Sequence, residues 1–199
     1  MASTSSRPLA VATELSAQTQ HLCNILKDRA IQCPSNLDAT ASTPLWSTHD
    51  EEIDAARNSI RALTNELNLL LNGPHDFLHE YVSVNWELGA LYALLEHGVL
   101  EQLPLDGTTV PLEYLAAKAR VVSAKLLRIC RLVATAGILR EPSAKSFGHT
   151  AVSVQLLDEG FRSWVGFQLF ETRVASAHLA DVLTEGGEFY QGRSAFQHA

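Results

Sequence analysis

Residues 111–150, PLEYLAAKARVVSAKLLRICRLVATAGILREPSAKSFGHT, decide the fold. The opening PLEYLAAKA, 111–119, has the apolar spacing of a short helix. Ser123 is a candidate cap for the next helix, 124–136, with Leu126, Ile129, Cys130, Val133 and Ala136 turned inward. Gly137 ends that helix, because glycine accepts the left-handed conformation that helix ends favour. Ile138 to Glu141, a Pro142-Ser143 turn and Lys145 to Phe147 then read as a small hairpin. Upstream, Val99, Leu100 and Leu103 lead into an Asp106-Gly107 turn. Short helices followed by a hairpin in this order predict a winged helix.

Toward the N-terminus the helices lengthen. A helix over 75–97 has two apolar faces: Phe77, Tyr81, Val84, Leu88, Leu91 and Leu95, then Leu78, Val82, Trp86 and Tyr92. Such a helix is expected to be buried between layers. Asn72-Gly73-Pro74 separates it from an earlier helix with Ile53, Ala56, Ile60, Leu63, Leu67 and Leu70 at alternating spacings of three and four, a heptad seam. Thr48-His49-Asp50-Glu51 reads as the capping box of that helix. The seam and the two-faced helix together predict a homodimer, since an exposed patch of that size would aggregate. Residues 9–31 form a first helix with Val11, Leu15, Leu22 and Ile25 on one face. The Pro-, Ser- and Thr-rich stretch 34–48 is a linker, with Trp46 expected to dock. The polar first six residues are expected to be disordered.

Toward the C-terminus, Thr150 is placed to cap the short helix AVSVQLL, and Asp158-Glu159-Gly160 to break it. Two further helices follow, 161–170 and 171–185, stopped by Gly186-Gly187. The expected organisation is an N-terminal helix (1–33), a linker (34–48), a helical winged-helix dimerisation domain (49–185) and a turn and linker (186–199). The fold class is mainly α, with long N-terminal helices, a small β-hairpin and no Rossmann domain.

Composition narrows the function. The chain has 199 residues, 46% hydrophobic and 19% charged, which suits a packed core and excludes whole-chain disorder. A net charge of -7 argues against nucleic acid and anionic membrane as partners. Three cysteines, Cys23, Cys33 and Cys130, form no C-x-x-C pair and fit free thiols in a reducing, cytoplasmic setting. No apolar run approaches the length of a membrane span, and the N-terminus does not read as a secretory signal.

Candidate chemistry is sparse. No dinucleotide, P-loop, nucleophile-elbow or zincin motif occurs. His75 and His79, with Asp76 or Glu80, have the spacing of a partial metal site but read better as a solvated helix edge. Lys125, Arg128 and Arg131 form a basic stripe that meets a DNA backbone in some winged helices; the acidic surroundings favour a solvated face here. His149 has the reference pKa of an acid–base group, though its place beside a cap residue suits turn organisation. Trp164, Phe167, Phe170 and His178 gather on the late helices and can line a pocket for a flat ligand, or serve as core.

Several runs in order carry a resemblance: Leu71-Asn72-Gly73-Pro74, ALLEHGVLEQLPLDGTTVPLEYLAAKARV (93–121), LLRICRLVATAGILREP (126–142), GHTAVSVQLL (148–157) and WVGF (164–167). Over about residues 50–199 the chain resembles the N-terminal region of fungal class-I-type O-methyltransferases of secondary metabolism. The resemblance implies a winged-helix region that dimerises and covers a substrate pocket, with Trp164, Phe167, Phe170 and His178 facing the substrate. That family continues into a Rossmann-like domain for S-adenosylmethionine. The present chain ends at AFQHA, which resembles the linker into it. No cofactor site is therefore expected here, and S-adenosylmethionine only where a catalytic domain is supplied elsewhere. The expected function is a dimerisation and substrate-lid domain that does not itself methylate. Its partners are a second copy or a related methyltransferase-like chain, and a small aromatic or polyketide-type molecule. Two alternatives stand beside it: a stand-alone cyclase or pericyclase with His149 or His178 polarising a carbonyl, and a winged-helix DNA binder.

Overall fold

The computed structural model describes residues 6–41, 45, 48–184 and 194–198. Trp46 and the Gly186-Gly187 stop lie outside the described residues, as does most of the N-terminal tail. The chain forms two compact units, one of Met1–Asn36 and Ala41–Val84, the other of Leu37–Thr40 and Asn85–Ala199.

The first unit starts with α1, Arg7–Asp28, which has a proline in its first turn, where a missing N–H costs nothing. Ile25 and Leu26 pack with Leu45 and Ile53 in a small core that Leu22 and Ile31 flank. Ile53 lies in the first turn of α2, Glu51–Glu96. Asp50 caps α2: its Oδ1 accepts from the Glu52 and Ile53 backbone N–H groups, both at 3.1 Å. The cap expected at Thr48 thus falls two residues later. A carboxylate is the stronger acceptor, and Arg29 pairs with both Asp50 and Glu52. The guanidinium holds the Asp50 carboxyl below its usual range, with the cap N–H groups helping.

The helix runs through the Asn72-Gly73-Pro74 break with one non-helical residue, Gly73, at φ 70° and ψ 170°. Pro74 opens the second half, so its lack of an N–H leaves the ladder free to resume at once. Two expectations change here. The seam is split: Ile53 and Ala56 are buried within the chain, Ile53 completely, where it packs with Ile25 and Leu26 of α1. The helix after the break is not sandwiched between layers over its first half, where Leu78, Tyr81 and Val82 are exposed.

In the second unit the last turns of α2 bury Ala90, Leu91 and Leu94. A 3₁₀ turn at Leu100–Gln102 follows, then β1 (Val110–Pro111), α3 (Leu112–Ala119), α4 (Ser123–Thr135), β2 (Leu139–Ser143) and β3 (Ser146–His149). The strands form an antiparallel sheet in the order β1-β3-β2, with Val110 opposite Phe147 and Leu139 opposite His149. This is the winged helix expected from 111–150. Leu112, Leu115, Leu126, Cys130, Val133 and Phe147 meet in its core.

Two details differ from the sequence reading. Ser123 is the first residue of α4, and Val122 holds the cap position. The hairpin turns at Ala144-Lys145, where Lys145 has φ 58°, instead of at Pro142-Ser143. Ser143 pairs with Ser146, and the register shifts between Arg140 and Ser143. Pro142, which has no N–H for the ladder, sits in that irregularity, where a proline is tolerated. Gly148 in β3 is forced by packing: a Cβ there would come within 2.9 Å of the Thr108 carbonyl oxygen.

Thr150 caps α5 (Ala151–Val154) as expected, in a reciprocal box with Ser153. Asp158 caps α6 (Glu159–Phe167) by accepting from the Phe161 N–H at 2.7 Å. The gap expected between 170 and 171 is absent. The chain stays helical through a π turn, Gln168–Thr172, into α7 (Arg173–Ala177) and breaks at His178 before α8 (Leu179–Thr184). A short α9, Ala195–His198, is the last element described. No helix among the described residues is long and apolar enough to cross a membrane.

Candidate binding surfaces

The late helices present aromatic side chains outward. Phe170 stacks on Tyr92 of α2, centroids 5.3 Å apart and planes 11° apart. Phe167 stacks on Phe196 at 6.2 Å, and Trp164 on Phe161 at 5.7 Å. A cavity of about 370 Å³ lies between α2 and α6, walled by Tyr92, Glu96, Arg162, Ser163, Phe167 and Glu171 among others. Of the four residues singled out from sequence, Phe167 lines this cavity, while Phe170 packs on its Tyr92 wall. Trp164 is 57% exposed beside Phe161. His178 lies at the end of α7, its Nδ1 3.2 Å from Asp181.

Tyr92, Glu96, Arg162 and Glu171 were not legible as site residues. Tyr92 stands on one apolar face of a long helix, and no motif or spacing sets Glu96, Arg162 or Glu171 apart. Together they give an aromatic cavity a mixed-charge rim. Burial pushes the Tyr92 phenol up, and Glu96 adds to the shift. Arg162 also pairs with Glu101, which fixes α6 to the 3₁₀ turn.

His149 is 1% exposed. Its Nδ1 is 2.8 Å from the Ser153 Oγ, and its Nε2 lies toward the Leu100 carbonyl without a hydrogen bond of good geometry. Burial lowers its pKa, partly offset by Leu100 and the charge of Glu101. The ring is therefore neutral and joins the wing to the Thr150 cap.

The basic stripe on α4 is divided. Arg131 is taken up by Glu141 of the wing. Lys125 and Arg128 instead edge an apolar trough with Trp86, Ile129 and Leu132, of about 770 Å³. A neighbouring hollow of about 250 Å³ shares Lys125 and Ile129 and continues to Leu94, His97 and Val121.

Among the described residues no group of three or more His, Cys, Asp or Glu is placed to hold a metal. His75 contacts only its neighbour Asp76, Nδ1 to Oδ1 at 3.0 Å, as a solvated edge does. Burial pushes the Cys130 thiol up to about 12, with Glu141 adding to it, so it packs as an inert apolar group. Cys23 and Cys33 are free thiols whose sulfurs lie 3.9 Å apart.

The fold is that of the winged-helix N-terminal region of class-I-type O-methyltransferases, and the comparisons agree on that fold. The chain is 50% identical over 190 residues to the O-methyltransferase phnC of Penicillium herquei, an alignment covering 94% of this chain and 44% of that protein. It is 35% identical over 144 residues to the monodictyphenone cluster transcriptional coactivator mdpA of Emericella nidulans, covering 71% of this chain and 30% of that one. The crystal structure of OxaC superposes with a TM-score of 0.69 at 16% identity, over 88% of this chain and 38% of that chain. The mitomycin 7-O-methyltransferase MmcR does so at 0.52 and 22%, over 71% and 38%. No protein-family model matches. The chain belongs with the fungal O-methyltransferases and has the fold of their N-terminal dimerisation region. It spans less than half the length of these relatives.

Proposed function

We propose that the chain serves as the dimerisation and substrate-lid region of an O-methyltransferase-like protein of fungal secondary metabolism, in the cytoplasm. The observation that carries this reading is the unpartnered apolar run on α2, where Leu69, Leu71, Leu78, Tyr81 and Val82 are all more than half exposed. A surface of this kind is stable in water only when another chain covers it. A second copy, or a related chain with the same helix, is the natural cover. The aromatic cavity around Phe167 and Tyr92 suits a small aromatic or polyketide-type molecule, with Trp164, Phe170 and His178 toward its approaches. Methyl transfer needs S-adenosylmethionine, whose site is expected outside these residues. Among the described residues the strands form only a small antiparallel sheet, without the glycine-turned parallel strand that holds such a cofactor. Titration calorimetry with S-adenosylmethionine tests this point: no saturable binding is expected, and stoichiometric binding at micromolar affinity overturns it.

A second reading draws on the coactivator relative. There the same surfaces would serve protein association alone, with no substrate. Equilibrium dialysis against a panel of aromatic polyketides separates the two. Binding that is lost in Phe167→Ala supports the lid, and its absence supports the association module.

A further inference from the structure

We infer that the cation-edged trough along α4 receives the acidic, apolar flank of α2 from a second copy of this chain. The inference rests on the dimerisation reading above and assigns its docking polarity.

The trough has an apolar floor and a charged edge. Trp86, 73% exposed, Ile129 and Leu132 supply the floor. The hollow beyond it extends the floor toward Leu94 and Val121. Lys125 and Arg128 stand at the edge. Arg131, one turn on, already has Glu141, but neither Lys125 nor Arg128 has an acidic partner among the described residues. Two cations beside exposed tryptophan and aliphatic surface call for an occupant that is apolar and anionic at once.

The chain contains such a surface. From Ala62 to Ala117 the sequence has no Lys or Arg, yet it includes Glu66, Asp76, Glu80 and Glu87. On the second half of α2 the helical repeat puts Phe77, Leu78, Tyr81 and Val82 on one face. The same repeat lines Asp76 and Glu80 along one edge of that face, beside Phe77 and Val84. Asp76 pairs with His75, and Glu80 accepts from the neutral Asn72 amide, so among the described residues neither carboxylate has an Arg or Lys partner. An apolar stripe with an acid edge thus matches an apolar trough with a basic edge. In a two-fold dimer the contact occurs twice, so each charge is counted twice in the assembly.

The test is charge exchange, read by sedimentation equilibrium at low and high salt. Lys125→Glu with Arg128→Glu in one chain, and Asp76→Lys with Glu80→Lys in another, should each weaken self-association at least about tenfold. Mixing the two variants should restore association to near the wild-type level. All four positions are exposed, and Lys125→Gln with Arg128→Gln, a milder change, should give an intermediate loss. The inference is overturned if the wild type dimerises but the exchanges leave its affinity unchanged, or if the mixture fails to recover. A monomeric wild type overturns the dimerisation reading and this inference together. A trough that ignores the second copy yet binds an unrelated acidic amphipathic peptide overturns the inference alone.

Discussion

Arg131 grips Glu141 with two parallel hydrogen bonds, Nε to Oε2 at 2.9 Å and Nη2 to Oε1 at 2.8 Å. The pair ties α4 to the first strand of the wing. Glu141 also accepts from the Lys145 backbone N–H at 2.8 Å, which fixes the hairpin turn at Ala144-Lys145. One carboxylate therefore sets the wing's geometry and removes an arginine from the face that a DNA-binding winged helix would present.

Arg131 first, and the Lys145 N–H second, hold the Glu141 carboxyl down at about 2, from an ordinary 4.5. A carboxyl with a lowered folded pKa adds stability above its unfolded pKa and loses it as pH falls toward the folded one. Urea midpoints for wild type and Glu141→Gln should differ by a constant amount above about pH 4.5 and converge toward about pH 2. Parallel curves throughout that window would contradict the assignment.

His149 carries the opposite charge type with the same slope. Its folded pKa is lowered from 6.5, mainly by burial. Below that pH the unfolded chain takes up a proton that the folded chain resists, so stability falls as pH drops from about 6.5 and is level above it. In His149→Gln this limb should vanish. Ser153→Ala removes both the Nδ1 partner and half of the Thr150 cap, and should cost about 1–3 kcal/mol. Thermal melts across the neutral-to-mildly-acid range check both, and a wild type and His149→Gln with the same pH slope would be the contrary result.

Gly73 isolates backbone strain. A Cβ there meets nothing within 4 Å, so space does not limit substitution. The obstacle is φ 70° with ψ 170°, a conformation that L side chains avoid at about 1–3 kcal/mol. Gly73→Ala should lose that much in denaturant titrations. Gly166→Ala, inside a helix with equally open surroundings, should be neutral or slightly stabilising. Equal effects at the two positions would mean that the break in α2 is not held by Gly73.

The winged helix was legible because local signals there agree: apolar spacing in α3 and α4, glycine at the end of α4, and Thr150 at a helix start. Three features escaped for physical reasons. The α2 cap moved to Asp50 because Arg29, distant in sequence, reinforces that carboxylate. The hairpin turn moved to Ala144-Lys145 because the Glu141 carboxylate, held by Arg131 of α4, accepts from the Lys145 N–H, a contact that a local turn signal does not weigh. The second wall of the cavity at Phe167 escaped because Tyr92, Leu95 and Glu96 come from a helix some seventy positions earlier, and spacing within one segment cannot reveal that. The heptad seam is divided: Ile53 and Ala56 serve the chain's own core, while Leu70 at its far end is exposed.

The exposed apolar face of α2 can be broken directly. Leu78→Asp with Val82→Asp should abolish self-association while the chain keeps its helical circular dichroism, because neither side chain is buried in the protomer. A double variant that unfolds, or that still dimerises with wild-type affinity, would show that the face is not the interface.

The central claim is that this chain is a dimerisation module. Size-exclusion chromatography with light scattering, on the purified 199-residue chain at micromolar concentration, measures it most directly. The account predicts a single species of twice the chain mass, with an interface of more than about 2,000 Å². A soluble, well-folded species of one chain mass at that concentration would contradict it.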